Sequence, residues 1–261
     1  MHRFINLSFS TVKLKRNLAI VRNKIYIIML KIEVFLFYIN DRLVKSVRNS
    51  TLFYRVNGDE IMGNDDLSAC LNGEHVVLEP LSLSHVAALS LAVTDGELWR
   101  LWFTSVPEPS EMKAYVMKAL AEKSRGESFP FAVRDKVSGE IVGCTRICHW
   151  ESEHRHLEIG YTWYAKRAQR TGINTEAKLL LLTFAFETLE AIAVEFRTHW
   201  HNQASRQAIA RLGAKQDGVL RNNKILKDGT IRDTVVYSII DSEWATVKHH
   251  LIFRLQQRLV V

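Results

Sequence analysis

Between a strand-like run and a long apolar segment lies Gln169-Arg170-Thr171-Gly172-Ile173-Asn174-Thr175-Glu176-Ala177-Lys178, the stretch of this chain best suited to hold an anion. It reads as a turn holding one glycine, followed by the opening of a helix. The first amides of a helix have no acceptor inside it, and the helix dipole adds partial positive charge at that end. Arg170 adds a full charge beside them. A phosphate or pyrophosphate fits such a place. Two common phosphate loops are excluded, because neither Gly-x4-Gly-Lys-Ser/Thr nor a three-glycine dinucleotide fingerprint is present.

The elements that must position this turn are legible around it. Leu157 to Tyr164, rich in β-branched and aromatic residues, predicts a strand entering the turn. Leu179 to Leu189, apolar and free of Gly and Pro, predicts a buried helix leaving it. Upstream, Glu74 to Leu81 reads as a strand and Ser84 to Leu91 as a helix with Ser82 or Ser84 as its N-cap. Phe129 to Arg134 and Glu140 to Trp150 read as a strand pair joined by Asp135-Lys136-Val137-Ser138-Gly139. Downstream come a strand over Ala193 to Trp200, a helix ending at Ala210-Arg211-Leu212-Gly213-Ala214 with its glycine stop, and a last strand over Thr230 to Ile240.

In this order, the segments resemble the GNAT N-acetyltransferases. The loop is similar to that family's acetyl-CoA loop, Gln/Arg-x-x-Gly-x-Gly/Ala, with Gln169, Gly172 and Asn174 at the first, fourth and sixth places. Asn174 stands where a small residue is usual, and Asn tolerates left-handed backbone. Asn202-Gln203-Ala204-Ser205 is similar to a second family feature, Asn-x-x-Ser, with Asn202 facing the cofactor and Ser205 capping the next helix. The resemblance runs from about His75 to Ile240 and is strongest to the RimJ/RimL-type branch, which acetylates protein N-terminal or small-molecule amines. It implies an α/β fold with a mixed, mostly antiparallel sheet flanked by helices. It also implies acetyl-CoA as co-substrate, held by Gln169, Arg170, Thr171, Gly172, Ile173, Asn174 and Thr175, by backbone pairing at Thr162, Trp163 and Tyr164, and by Asn202. The implied partners are acetyl-CoA and an amine acceptor, with no metal cofactor. The competing reading is an acyl-CoA-binding regulatory module that has lost its catalytic groups.

Acetyl transfer to an amine asks for little. A protonated primary amine must lose a proton before attacking the thioester, and a fixed N–H stabilises the oxyanion that forms. No covalent intermediate is required. Glu158, on the strand leading to the loop, is the expected general base, with Glu151, Glu153, His154 and His156 as alternatives. The family often places a tyrosine acid on the helix after Asn-x-x-Ser, but this chain has Ile209 there. Ser205 could then protonate the leaving thiolate, although capping suits it too. Trp99 to Phe103 and His199-Trp200-His201 either line the acceptor side or close the core.

Charge divides the chain. Of 35 Lys+Arg and 28 Asp+Glu, residues 1–60 hold 11 basic and 4 acidic, and the remaining 201 hold 24 of each. The net +7 therefore belongs to an N-terminal extension, and residues 62–261 are expected to form one acetyltransferase domain. Three readings of residues 1–61 stay open: an over-extended gene start with Met62 as the true beginning, a nonspecific arm for phosphate-bearing partners, or a membrane anchor. Ile25 to Ile39 is apolar, but Lys31 and Glu33 interrupt it and its 15 residues fall short of the ~20 that span a bilayer. Neither a stable membrane anchor nor specific nucleic-acid binding is expected. Three widely placed cysteines argue against a disulfide framework and fit a reducing cytoplasm. Cys148, His149, His154 and His156 crowd one hairpin, yet their spacing matches no common zinc pattern and strand alternation would send Cys148 and His149 to opposite faces. Residues 241–261 read as a helix that either packs on the body or offers a dimer surface.

Overall fold

The computed structural model describes residues 53–56, 59–62 and 70–258. Residues through Asn64 form a unit of their own, in which β1 (Phe53–Val56) and β2 (Asp59–Met62) pair as an antiparallel hairpin. The remaining residues 1–52, including the apolar run Ile25 to Ile39, lie outside the described residues. Among the described residues, no helix is long and apolar enough to cross a membrane.

The second unit is built on one sheet of eight strands in the order β3-β4-β5-β6-β7-β8-β10-β9. Their ranges are β3 (Leu71–Asn72), β4 (Val76–Pro80), β5 (Ser128–Asp135), β6 (Ile141–Glu151), β7 (His156–Tyr164), β8 (Ala193–His199), β9 (Lys215–Ile225) and β10 (Ile231–Ile240). Every neighbouring pair is antiparallel except β7 and β8. A parallel pair needs a crossover, and here it is α3 (Ile173–Thr183), prolonged by a π-turn over Phe184–Thr188. The α/β architecture expected from the resemblance is present.

Both faces of the sheet are covered, so β6 reads as a continuous buried run from Ile141 to Cys148 rather than an alternating one. One face packs Leu157, Ile159 and Phe196 against Ile173, Ala177 and Leu181 of α3. The other packs Ala132, Cys144 and Trp163 against α1 (Val86–Thr94) and α2 (Met112–Ser124). The first helix begins as a short 3-10 turn, Leu83–His85, and the backbone N–H of Ser82 donates to His85 Nδ1 at 3.1 Å. α4 (Gln203–Arg211) ends at Gly213, whose φ of 102° is the left-handed stop the sequence predicts.

α5 (Asp241–Arg258) resolves the ambiguity of the C-terminal segment. Trp244, Val247 and Leu251, at helical spacing, are buried in the main core. The Trp244 ring stacks on Phe186 at 5.1 Å, and its Nε1–H donates to Glu187 at 2.7 Å. Several elements have no sequence expectation: the short strands β1, β2 and β3, the helix α2, and β9, most of whose residues are exposed.

Candidate active site

The structure sets the anion turn at the mouth of a parting pair of strands. β7 and β8 pair only from His156–Glu158 against Ala193–Glu195, and beyond Glu158 they separate. The edge of β7 from Ile159 to Tyr164 is thus free of β8. Its side chains do not line the opening: Trp163 and Tyr164 are buried in the two opposite cores. Any hold they have on a ligand in the gap runs through their backbone.

After β7 the chain makes a 3-10 turn, Lys166–Ala168, and then the loop. Gln169 is extended, and its Nε2–H donates to Tyr164 O at 2.9 Å, tying the loop back to the strand. Thr171 Oγ1 donates to Ala168 O at 2.7 Å and accepts the Ile173 N–H at 3.2 Å. Asn174 and Thr175 follow in the first helical turn, where amides lack intrahelical acceptors. A cleft of about 230 Å³ opens at the start of the loop and helix, lined by His75, Asp135, Arg167, Thr171, Gly172 and Ile173 among others. Room, amides and a nearby guanidinium fit a diphosphate.

One sequence argument about this loop, the left-handed tolerance of Asn174, needs correction. The left-handed residue is Arg170 (φ 61°), while Gly172 has ordinary helical dihedrals. A Cβ on Gly172 would meet Leu255 at 3.6 Å and His75 at 3.8 Å, which is ordinary contact. Asn174 lies inside the right-handed helix, so its tolerance of left-handed backbone is not called upon. Asn202 also takes the capping role expected of Ser205: its Oδ1 accepts the Ser205 N–H at 3.0 Å. The acceptor oxygen sits on the residue before the helix, where the orphan amides can reach it.

Glu158 sits where the strands part and is almost fully buried. Its Oε2 lies 3.0 Å from His149 Nδ1 and 3.8 Å from Arg197 Nε. Gly160 makes room for it, because a Cβ there would lie 2.8 Å from Glu158 Oε1. The bond to Glu158 pulls the His149 imidazole above its ordinary pKa, burial opposing it. His149 is half of a surprise: its φ is 52° and a bulge follows Cys148, so β6 does not alternate there. Cys148 and His149 consequently do not diverge as strand alternation demands. A matching irregularity lies on β7 at Tyr161 (φ 51°), where the register shifts between Cys144 and Arg146. The Arg146 guanidinium covers the Tyr161 ring at 4.0 Å and pairs with Glu122 at 2.7 Å.

The alternatives to Glu158 lie elsewhere. Glu151, Glu153 and His154 are exposed at the hairpin tip, and His156 is bound to Glu195 at 3.1 Å. Ile209, at the expected tyrosine position, is buried in the main core.

The aromatic and histidine segments converge. The Trp102 ring meets His199 edge-on at 4.9 Å and His201 at 5.6 Å, and Phe103 lies 6.1 Å from His199. His199 Nδ1 accepts the His201 N–H at 3.0 Å, so a neutral ring carries its proton on Nε2. That Nε2 is buried without a hydrogen-bond partner. Burial, and next Arg232, hold the ring below its ordinary pKa, so it is a neutral donor.

Two buried charges escaped the sequence reading. Glu176, in the first turn of α3, accepts the backbone N–H groups of Glu74, His75 and Val76 at 2.7, 2.7 and 2.8 Å. Lys178 Nζ donates to Thr145 Oγ1 at 2.9 Å and Thr162 Oγ1 at 2.6 Å, and burial pushes its pKa down to about 7. Both charges stand just before the apolar run that begins at Leu179, where a solvated helix opening is the ordinary reading.

The family model for the GNAT acetyltransferase domain matches residues 75–215. A protein of Bacillus subtilis (strain 168) named as a ribosomal N-acetyltransferase, YdaF, is 27% identical over 180 residues, 67% of this chain and 96% of its own length. An acetyltransferase structure from T. thermophilus is 37% identical with a TM-score of 0.63, covering 71% of this chain and 96% of that one. Mycobacterium smegmatis RimJ, solved with CoA-disulfide, shares the fold at a TM-score of 0.59 and 23% identity over 69% of this chain and 88% of its own. The matched span begins at β4 and runs through the loop, the parting strands and Asn202, the features that carried the resemblance. The chain belongs to the GNAT family of acetyl-CoA-dependent N-acetyltransferases.

Proposed function

We propose that this enzyme transfers the acetyl group of acetyl-CoA to a primary amine by direct attack within a ternary complex, with Glu158 as general base. The observation that carries the proposal is the place of Glu158: a buried carboxylate at the last residue where β7 and β8 pair, beside the free edge of β7. Backbone amides from Gln169 to Thr175, with the Arg170 charge, hold the pyrophosphate. The β7 backbone at Trp163 and Tyr164 holds the pantetheine, and Asn202 assists it.

Glu158 takes the proton of the incoming ammonium, directly or through one water, and the freed amine attacks the thioester carbonyl. A β7 backbone N–H stabilises the oxyanion, and expulsion of the CoA thiolate leaves the amide. Ser205, in the first turn of α4, is the candidate for protonating the thiolate. Trp102, Phe103 and His199 border the acceptor. The reaction belongs to residues 62–261 and to the cytoplasm.

The test is thiol release by the full chain with acetyl-CoA against peptides bearing ribosomal-protein N-termini, then polyamines and aminoglycosides. Glu158→Gln is expected to keep acetyl-CoA affinity and lower kcat at least about 100-fold. Acetyl-CoA binding with no turnover on any amine would move the protein to the CoA-binding regulatory class. A Glu158→Gln enzyme with unchanged kcat would transfer the base role elsewhere.

A further inference from the structure

Cys148, His149 and Glu158 bring a sulfur, a ring nitrogen and a carboxylate oxygen within 4.8 Å of one another. Regular alternation along β6 would have kept the first two apart. The left-handed backbone at His149 and the bulge after Cys148 cancel that separation, and Glu158 enters from β7 as the cross-strand neighbour of Cys148. Two donors therefore sit on the rigid centre of the sheet, nearly buried, while the third has a side chain 63% exposed. A fixed pair and one movable ligand at the solvent boundary give a site with an entry path.

We infer that Cys148, His149 and Glu158 form a zinc-binding site, and that filling it silences the enzyme by engaging the Glu158 carboxylate. The second half rests on the base role proposed for Glu158.

Thiolate, imidazole and carboxylate together suit borderline Zn²⁺ rather than the all-oxygen shells of Mg²⁺ or Ca²⁺. Bonds of about 2.0–2.3 Å in a tetrahedron set donors about 3.3–3.7 Å apart. From a spread of 4.8 Å the widest pair must close by about 1–1.5 Å, while His149 Nδ1, now 3.0 Å from Glu158 Oε2, must draw slightly away, a movement its exposed ring can make. Water takes the fourth position, and the Cys148 proton leaves to solvent.

Burial and the neighbouring Glu158 carboxylate hold the Cys148 thiol above its ordinary pKa, so the metal itself must draw off that proton, and the donor set must supply the negative charge that its cationic neighbours do not. Arg197 is engaged by Glu195 at 2.7 Å, and Arg146 by Glu122 at 2.7 Å. Glu158 keeps its closest contact, at 3.0 Å, for the His149 ring that would turn to the metal. Arg232 acts electrostatically on Glu158, and Lys224 on His149. Such surroundings would repel a dication held by neutral ligands alone. A thiolate and a carboxylate cancel its charge.

Co²⁺ is the probe, added to the full chain in a Cys70→Ser background that removes the exposed thiol. The expected result is one equivalent bound, with sulfur-to-cobalt charge-transfer absorption and the intense visible bands of tetrahedral cobalt. Cys148→Ser should abolish the charge-transfer band. His149→Ala, at an exposed position that does not threaten folding, should weaken binding more than the about 10–100-fold that losing an outer-shell partner costs. Zn²⁺ should displace the Co²⁺ and, over the same concentrations, stop acetyl transfer until a chelator restores it. Absence of the sulfur band, or binding unchanged in His149→Ala, overturns the site regardless of activity. Co²⁺ binding with full turnover in saturating Zn²⁺ leaves the site standing and overturns both the silencing and the base role of Glu158.

Discussion

The carboxylate of Glu176 accepts the backbone N–H of Val76 at 2.8 Å, joining the first turn of α3 to the start of β4. The amides of Glu74 and His75 converge on the same carboxylate, and Gly73 permits the approach, since a Cβ there would lie 2.4 Å from the carboxyl carbon. Three N–H donors in succession form an anion nest, and the protein fills it with its own side chain. Glu176→Ala leaves those amides to find other partners. The expected loss is about 2–4 kcal/mol of stability, read as a lower midpoint in urea with an unchanged slope. A midpoint equal to the wild type would show that water satisfies the nest as well as Glu176 does.

Lys178 makes the opposite prediction. Its ammonium finds two hydroxyls but no carboxylate, and burial lowers its pKa from the ordinary 10.5 to about 7. Between those values the unfolded chain holds a proton that the folded chain lacks, so stability rises with pH across that window. Below pH 7 both states are protonated and the cost of burying the charge is fully present. Lys178→Met should therefore be more stable than wild type by about 3 kcal/mol at pH 6, with the gain shrinking as pH rises toward 10. Thr145 and Thr162 lose no satisfaction, because their hydroxyls lie 2.8 Å apart. Chemical denaturation at pH 6 and 9.5 decides it, and a pH-independent difference would refute the buried-charge account.

Gly172 offers a clean separation of folding from binding. Its dihedrals suit any residue, and the space beside it accepts a methyl group. Stability of Gly172→Val should thus change by less than about 1 kcal/mol. Acetyl-CoA affinity should fall more than tenfold if the pyrophosphate must approach the backbone there. Calorimetric titration beside a thermal melt measures both, and unchanged affinity would remove Gly172 from the binding loop.

The strands and the loop's position were legible because local pattern and global fold agree there: β5, β6, β7, β8 and β10 all carry strand-like composition, and the largely apolar run from Leu179 to Leu189 carries the second half of α3 and its π-turn. α2 was missed because Met112, Val116 and Ala119, its buried positions, are diluted by three lysines and a glutamate. β9 was missed because an edge strand this exposed has almost no buried face to pattern. Within the site, Glu158 was legible as a carboxylate near the gap. The convergence of Cys148 and His149 was not, because it depends on a positive φ at a residue other than glycine, which composition does not announce. Glu176 was hidden for a related reason: its partners are backbone amides about a hundred residues away, and amides carry no sequence signature.

Trp102 and His199 bear on the acceptor. Trp102 is 48% exposed yet holds its ring edge-on against a His199 whose Nε2–H is buried without a partner. An unmet buried donor costs free energy that an incoming carbonyl could recover once the indole moves aside. Trp102→Ala should raise KM for a peptide acceptor several-fold and leave acetyl-CoA affinity unchanged. His199→Phe preserves the ring packing and removes the donor, so it should raise KM without the loss of stability that truncation would bring. Initial rates against the best peptide acceptor, with acetyl-CoA saturating, measure both variants. If KM for the amine holds in both while acetyl-CoA affinity drops, these rings belong to the cofactor side and the acceptor enters elsewhere.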